Sequence, residues 1–438
     1  MMLSYYLELA LRSCRSARGL TALMVLTIAM GVAACMTTLT VFHVLSGDPI
    51  PHKSGKLFNV QLDAEQMRDY RPGEEPTFQL TRFDAEALLR AARGARQVMM
   101  TGGMVAVDPA ASAGGNARPF ITGSRYASAD FFAMFDVPFQ FGSGWSAADD
   151  QAQARVAVIS AELNEQLFGG ADSRGKTVRL GDKDLRVIGV MKPWRPAPHY
   201  FDLTLGAYSK AAEVYVPFTT AMALRLNASG NVNCWGDGNV TDVRALNALC
   251  SWVQYWVELD GPEQERSYRD YLVNYSDQQR AAGRFERPSN VRLRNVMDWL
   301  FFSKVVPSDI RLQLWLAFGF LLVCLTNAVG LLLAKALRRS SEIGVRRALG
   351  ASRRAIFSQF LVEAGGLGLA GGLLGLLLTC AGLWAVRQGP SAYAQLAQLD
   401  LTMLATTLLL ALAASLLAGL LPAWRACQVM PALQLKSN

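Results

Sequence analysis

The segment GGADSRGKTVRL, from Gly169 to Leu180, has residue types and a spacing that could bind a nucleotide. Gly170 is followed by four residues and then by Gly175-Lys176-Thr177, which matches the Walker A pattern. In such a phosphate-binding loop, a strand enters the turn and a helix begins at the Lys-Thr pair, so that backbone N–H groups hold the phosphates. A nucleotide-hydrolysing function therefore depends on the elements that flank this turn.

The flanking residues predict the opposite order of elements. RVAVIS is typical of a strand, and the following SAELNEQLF predicts a helix with Ser160 as its N-cap and an end at Gly169. The residues after Lys176 alternate between apolar and polar and turn at Gly181, which predicts a hairpin. The motif then lies between a helix and a strand, and we interpret its glycines as structural.

Other catalytic groupings are missing from the sequence. Its three histidines, His43, His52 and His199, are scattered, and neither a paired-carboxylate motif nor G-x-S-x-G occurs. We therefore predict no catalytic residue, no cofactor and no metal ligand, and we expect a non-enzymatic protein.

Four long runs contain no Asp, Glu, Lys or Arg: residues 19–47, 312–334, 364–386 and 401–424. A helix needs roughly 20 apolar residues to cross the hydrocarbon core of a bilayer, and uncharged runs of this length are rare in soluble domains. The sequence thus predicts an α-helical membrane protein with four transmembrane helices. The first run is too long for a signal peptide, so we expect a retained anchor.

Positive charge predicts the orientation of these helices. Lys and Arg cluster before the first helix, between the second and third, and after the fourth, which places those segments and both termini in the cytoplasm. The net charge of +8 has this membrane explanation, so no nucleic-acid partner is needed. The predicted segments are a cytoplasmic segment 1–18, helix 19–47, an extracytoplasmic domain 48–309, helix 310–335, a cytoplasmic loop 336–354, helix 355–387, a periplasmic loop 388–400, helix 401–424 and a cytoplasmic tail 425–438.

The extracytoplasmic domain is predicted to be α+β. KLFNVQLDA, FDAEALLRAARGA and RQVMMTGGMVAV read as strand, helix and strand, and WVQYWVEL, PEQERSYRDYLVNYSDQQRAAG and NVRLRNVMDWL repeat that order near its end. The two β-α-β units predict one split subdomain next to the membrane, and residues 117–219 predict a strand-rich second subdomain. Cys234 and Cys250 are the two cysteines of this domain, and an oxidising compartment favours a disulfide between them over a metal site.

The cytoplasmic loop KALRRSSEIGVRRALGASRRAIFSQFLVEA predicts a short amphipathic helix. Ser340 or Ser341 can cap it, and Gly350 can end it. Charge alone would fit an anchor on lipid headgroups. Such an anchor has no need of small residues at Gly344 and Ala348, which permit close contact with another protein.

Part of this loop and its continuation, SSEIGVRRALGASRRAIFSQFLVEAGGLGLAGGLLG, strongly resembles the signature of MacB/FtsX-like ABC transporter permeases. YASADFFAMF, LFGGADSRGKTVRL and RVIGVM resemble the external domain of the MacB subfamily, and LAGLLPAWRACQVMPALQLK resembles the family's C-terminal end. MacB carries an ATPase domain on the same chain, whereas this sequence contains none. We therefore expect the separate-permease form, with the ATPase on another polypeptide.

The resemblance implies two permease chains, identical or paralogous, each docked on an ATPase subunit in the bacterial inner membrane. ATP-driven movement of the ATPase would reach the external domains and push substrate from the periplasm or outer leaflet towards an adaptor and an outer-membrane duct. An FtsX-type regulator of cell-wall hydrolases and a lipoprotein-release permease are the alternatives. The residues expected to contact the ATPase are Glu342, Ile343, Gly344, Arg346, Arg347, Ala348, Leu349, Gly350 and Ala351.

The third transmembrane helix offers the small-residue spacings Gly368-x-x-x-Gly372 and Gly371-x-x-x-Gly375, which let helices approach closely. These glycines fit a permease–permease interface and packing within their own chain equally well.

Overall fold

The computed structural model describes residues 18–109, 118–236, 242–389, 393–396, 399 and 401–428. These residues form two compact units. The helical bundle contains the described residues up to Ser46 and from Val306 onward, and the sheet domain contains those from Gly47 to Val305.

The helices of both units are numbered in chain order. They are α1 (Arg18–Ser46), α2 (Arg82–Ala91), α3 (Phe131–Met134), α4 (Ala147–Gln151), α5 (Ala161–Phe168), α6 (Phe218–Ala223), α7 (Pro262–Ala281), α8 (Val296–Phe302), α9 (Ser308–Arg338), α10 (Ser340–Ala348), α11 (Arg353–Arg387) and α12 (Leu401–Cys427), and a 3₁₀ turn lies at Ala394–Leu396.

The strands all lie in the sheet domain. They are β1 (Leu57–Leu62), β2 (Leu80–Thr81), β3 (Arg96–Val107), β4 (Phe120–Ala127), β5 (Phe139–Gly142), β6 (Val156–Ile159), β7 (Thr177–Leu180), β8 (Lys183–Met191), β9 (Val214–Pro217), β10 (Ala228–Ser229), β11 (Asn233–Cys234), β12 (Cys250–Glu258) and β13 (Val291–Asn295).

The helical bundle is built from α1, α9, α11 and α12, each long and apolar enough to cross a membrane. Their contacting faces form a core around residues such as Met24, Val32 and Ala411. Large apolar side chains also point outward, and Leu377 and Leu401 are 67% and 81% exposed. Outward leucines on long helices are expected where the surrounding solvent is lipid. Together with the sheet domain, this bundle confirms the predicted fold class.

The two predicted β-α-β units interleave in one antiparallel sheet in the order β13-β1-β12-β3. The two central strands, β1 and β12, come from opposite ends of the domain. Each unit therefore supplies strands that pair with the strands of the other unit. The side chains of Leu88 on α2 and Leu272 on α7 are fully buried in the core that also holds Val60 and Val257 of the central strands. The two halves of the split subdomain inferred from the sequence thus form one continuous α+β layer.

Strand β3 links this layer to the strand-rich middle of the domain. Its first residues pair with β12 from Arg96 to Met100, and its later residues pair with β4 from Met100 to Val107. The sheet continues from β4 through β9, β6 and β8 to β5. The second subdomain therefore extends the sheet of the first.

The structure corrects two local expectations. NVRLRNVMDWL is a strand only as far as Asn295, whose side chain accepts a hydrogen bond from the Asp298 N–H and so caps α8. Neither serine caps the loop helix: Ser340 is already its first residue, and the N-cap position is taken by Arg339 without a side-chain capping bond. The capping hydrogen bond of Asn295 sets the start of α8, and the alternation of apolar residues along the chain carries no information about it.

The Walker-like segment has the structure expected of a hairpin lead-in. Ser160 caps α5 and accepts a hydrogen bond from the Leu163 N–H, and Gly169 ends the helix with a φ of 66°. Strands β7 and β8 then pair as a hairpin. The Lys176 ammonium lies 4.8 Å from the centre of the Phe168 ring, so the lysine side chain packs on the end of α5. The helix-turn-strand order is the reverse of a phosphate-binding loop.

Candidate coupling surface

The residues proposed to contact an ATPase lie on and just after α10, where they divide into a buried and an exposed set. Ile343 is 6% exposed and packs in a small core with Ile356, Phe360 and Ala423. Gly344 is buried as well. These two positions therefore hold α10 against its own bundle.

The opposite face of α10 points outward. Val345 and Leu349 are 49% and 83% exposed, and Ala348 and Gly350 are also exposed. Because positions three and four apart share one face of a helix, Val345, Ala348 and Leu349 form a continuous apolar stripe. We call these three residues the outer stripe. Ala351, after the helix, is half-buried.

The two arginines of α10 make their polar contacts within the chain. Arg346 forms an ion pair with Glu342 at 2.7 Å and donates a hydrogen bond to the Gln359 side chain at 3.1 Å. Arg347 donates to the backbone carbonyl of Cys427 at 3.2 Å. These contacts fix α10 to α11 and α12. The helix that carries the outer stripe is therefore held in place by its own chain.

Glu342 belongs to a chain of ion pairs that runs from α10 into the bundle. Arg339 contacts the Glu342 carboxylate at 3.0 Å and the Glu363 carboxylate at 3.7 Å, and Glu363 also pairs with Lys335. Partial burial raises the pKa of Glu342, but the hydrogen bond from Arg339 and the charges of Arg339 and Arg346 lower it more, so the net shift is downward. Glu342 therefore remains ionised near neutral pH.

The Lys335–Glu363 pair is the part of this network that sequence reasoning missed. The side chains of Lys335 and Glu363 are 4% and 2% exposed, and they join α9 to α11. A buried charge is costly unless it is paired, which makes such a pair a specific contact between the two helices. Lys335 directly follows one uncharged run and Glu363 directly precedes another, and that placement could have suggested the pairing.

Four glycines of α11 were open to two interpretations: Gly368, Gly371, Gly372 and Gly375. All four are buried in contacts within the chain. The first and third face α12, where a Cβ at Gly368 would lie 2.5 Å from the Cβ of Ser415. The second and fourth face α1, where a Cβ at Gly371 would lie 2.8 Å from Cγ2 of Ile28. Close packing of three helices therefore accounts for the glycine pattern.

Cys234 and Cys250 form a disulfide in the sheet domain, across the paired strands β11 and β12. It closes a loop over a sequence separation of 16 residues. Cys250 is buried and Cys234 is exposed, so the bond ties a surface strand to the domain core.

Comparison with known proteins identifies both units. A family described as the MacB-like periplasmic core domain matches residues 21–273, more than half of the chain, and the FtsX-like permease C-terminal family matches residues 314–431. The chain belongs to the MacB/FtsX-like ABC transporter permeases. A MacB-like periplasmic domain and four apolar helices fit an inner-membrane protein.

Similar curated proteins carry an ATP-binding part in their names. The permease is 28% identical to the macrolide export ATP-binding/permease protein MacB of Rhodospirillum rubrum, over 84% of this chain and 51% of that protein. It is 26% identical to the protein of that name from Azoarcus sp., over 98% of this chain and 59% of that protein. The permease thus spans about half the length of these relatives.

Among solved structures, the periplasmic region of MacB from Actinobacillus actinomycetemcomitans is 14% identical, with a TM-score of 0.37, over 60% of this chain and 99% of that chain. The family match, rather than this likeness, assigns the domain. Among the described residues, no group of three or more His, Cys, Asp or Glu side chains could hold a metal ion.

Proposed function

We propose that this permease couples an ABC ATPase, carried on a separate chain, to movements of its sheet domain. The ATPase docks on the outer stripe of α10, and the two chains of a permease dimer each hold one ATPase subunit. Both termini and α10 lie in the cytoplasm, and the sheet domain lies in the periplasm. Membership of the ABC transporter permeases supports the need for an ATPase.

The observation that carries this proposal is the exposed outer stripe on a helix whose other face is fixed. Leu349 is 83% exposed, whereas Ile343 on the opposite side is buried in the core with Ile356. A groove on the ATPase that covers Val345 and Leu349 would remove this apolar surface from water. Ion pairs from Glu342 through Arg339 to Glu363 would then pass the movement of α10 to α9 and α11.

Export of a substrate from the periplasm or outer leaflet is the transport activity that we propose for this complex. The MacB-like periplasmic core domain and the names of the relatives, which are export proteins, support this direction. A periplasmic adaptor and an outer-membrane duct would complete the route. The membrane helices transmit movement and do not form the path of the substrate.

The docking test replaces Leu349 by aspartate. A few residues near the centre of an interface each contribute about 2 kcal/mol or more to binding. With Leu349 as one of them, Leu349→Asp should weaken ATPase binding at least about ten-fold. The measurement is co-purification from native membranes in mild detergent, with identification of a Walker A-containing chain and assay of ATP hydrolysis. Gly344→Trp is a poor probe, because Gly344 is buried within the permease itself.

Ile121→Asp is the matched control, since Ile121 is an apolar residue of the sheet domain that is 70% exposed. It should retain the ATPase at the wild-type level. If Leu349→Asp and Val345→Asp both retained the ATPase, α10 would be a charged membrane anchor and the proposal would be wrong.

A further inference from the structure

A cavity of about 230 Å³ lies in the sheet domain against the sheet face that carries Asn59 of β1 and Gln254 of β12. The loop around Phe201 and Asp202 and the middle of α8 at Trp299 form further parts of its wall. Helices α2 and α7 pack with the other core of the domain, so this cavity is separate from them.

Four polar atoms in the cavity wall have no hydrogen-bond partner among the described residues. They are Asn59 Oδ1, Gln79 Nε2, Gln254 Oε1 and Ser303 Oγ. The three amide residues are only 1%, 6% and 4% exposed. Most buried polar atoms in proteins are paired, because each one left without a partner costs about 1–3 kcal/mol. Four such atoms around one cavity indicate a place where bound waters or the polar groups of a ligand complete the bonding.

Three aromatic side chains also line the cavity, beside small or aliphatic residues such as Ala207 and Val305. Phe201 and Trp299 are buried, and Phe78 at the rim is 49% exposed and meets the Trp299 ring edge-on at 5.6 Å between centroids. The Trp299 indole N–H already donates to the Tyr200 carbonyl, so this side chain offers the cavity its apolar ring. A ligand is thus met by apolar ring surfaces and by the amides.

The cavity favours a neutral ligand. Its one charged wall residue, Asp202, pairs with Arg125, and both side chains are buried. The Asp202 carboxylate also accepts hydrogen bonds from the Thr204 hydroxyl at 2.6 Å and the Gln254 amide at 3.1 Å. A charged ligand would enter without an opposite charge left to compensate it, which is costly in a buried site.

We propose that this cavity binds a neutral sugar ring. Hydroxyl groups both donate and accept, which matches a wall that presents amide oxygens, an amide N–H and the Ser303 hydroxyl. The C–H face of the ring packs on the aromatic side chains, as in pockets that combine apolar walls with a few oriented polar groups. One water molecule occupies about 30 Å³ in the liquid. A cavity of about 230 Å³ therefore has room for several waters or for one sugar ring. The inference concerns the sheet domain alone and does not depend on ATPase docking.

The test uses the full chain in lipid nanodiscs free of glycoside detergent, since such detergents carry sugar head groups. The probes are methyl α-D-glucopyranoside, glucuronate as the same ring with a carboxylate, and N-acetylalanine amide as a peptide-like competitor. Binding is followed by saturation-transfer NMR and quantified by titration. We expect saturable binding of the glucoside, with glucuronate and the amide at least about ten-fold weaker.

Asn59→Leu is the decisive variant, because it removes an unpartnered acceptor and keeps a side chain of similar size. It should weaken glucoside binding at least about ten-fold, while the sugar-free protein melts at an equal or higher temperature. Gln79→Met should behave in the same way, and Ile121→Asn, outside the cavity, should bind normally. A structural role for Asn59 would instead lower the melting temperature and leave the affinity unchanged.

The proposal is overturned by any of three results: no saturable glucoside binding, equal binding by the wild type and both cavity variants, or tighter binding of glucuronate or the amide. The first of these would mean that the cavity holds only water.

Discussion

His199 shows how a single buried residue makes the stability of the sheet domain depend on pH. It is 4% exposed and stacks on Phe201, and its Nδ1 lies 3.3 Å from the Ser209 hydroxyl. Burial lowers its pKa to about 4, and the positive charges of Arg125 and Arg195 act in the same direction. The ring is therefore neutral in the folded protein at pH values where a free histidine is protonated.

The first prediction is that the domain loses stability as the pH falls from about 6.5 to about 4. In this window the unfolded chain binds a proton at His199 and the folded chain does not, so acid favours unfolding. Above pH 6.5 the contribution is fully present, and the whole loss is about 3 kcal/mol. Thermal unfolding of the full chain across this range should show a shallower pH dependence for His199→Gln. Ile121→Asn, at an exposed residue of the sheet domain that does not titrate, should keep the wild-type dependence.

The second residue-scale prediction concerns Cys234 and Cys250. Peptide mapping without reduction should recover them as one linked pair. Cys250→Ser should lower the free energy of unfolding by about 2–4 kcal/mol, because the bond closes a loop and restricts the unfolded chain. Recovery of both thiols in alkylated form from non-reduced protein would contradict the prediction. Cys380→Ser, at an exposed free cysteine, is the control and should leave stability unchanged.

At the scale of elements, the bundle depends on two kinds of close contact. The α11 glycines remove side chains where α1 and α12 approach, and the Lys335–Glu363 pair joins α9 to α11 next to α10. The glycines allow the helices to pack tightly but do not specify which residues of neighbouring helices meet. The ion pair fixes which residues of two helices face each other.

The third prediction is that these two charges act as a unit. Lys335→Met or Glu363→Leu alone should destabilise the bundle by about 3–5 kcal/mol, because each leaves the other charge buried without its partner. The double variant should recover most of that loss. Thermal unfolding in nanodiscs gives the coupling energy, and Leu337→Met, at a residue 63% exposed, serves as the control. Simple additivity of the two single changes would show that the pair is not coupled.

At the scale of the whole molecule, the orientation that we propose for the protein in the membrane rests on the distribution of positive charge. Lys335, Arg338, Arg346 and Arg353 gather around α10, and such clusters stay on the cytoplasmic side. In the orientation that we propose, the sheet domain lies on the other side, where a disulfide is stable.

The fourth prediction tests this arrangement by labelling in spheroplasts, with the free cysteines replaced. Asp260→Cys, at an exposed turn of the sheet domain, should react with a membrane-impermeant maleimide in intact spheroplasts. Arg354→Cys, exposed at the start of α11 and outside the outer stripe, should react only after lysis. The reverse pattern would invert the proposed topology.

The sequence by itself determined the features that depend on local pattern. Long uncharged runs predicted four membrane-length helices, and alternation with capping residues such as Ser160 predicted the helix and hairpin around the Walker-like turn. These features could be predicted from the sequence because the spacing of apolar residues, helix caps and turn residues act over a few neighbouring positions.

Only the tertiary structure decided which residues face each other. Gly344 and Leu349 looked alike as docking residues until the packing of Ile343 showed which face of α10 points outward. The pairing of Lys335 with Glu363 and the convergence of Asn59, Gln79 and Gln254 on one cavity join residues far apart in the chain. The periodic pattern of apolar residues along the chain carries no information on such contacts, because they arise only when separate helices and strands pack together.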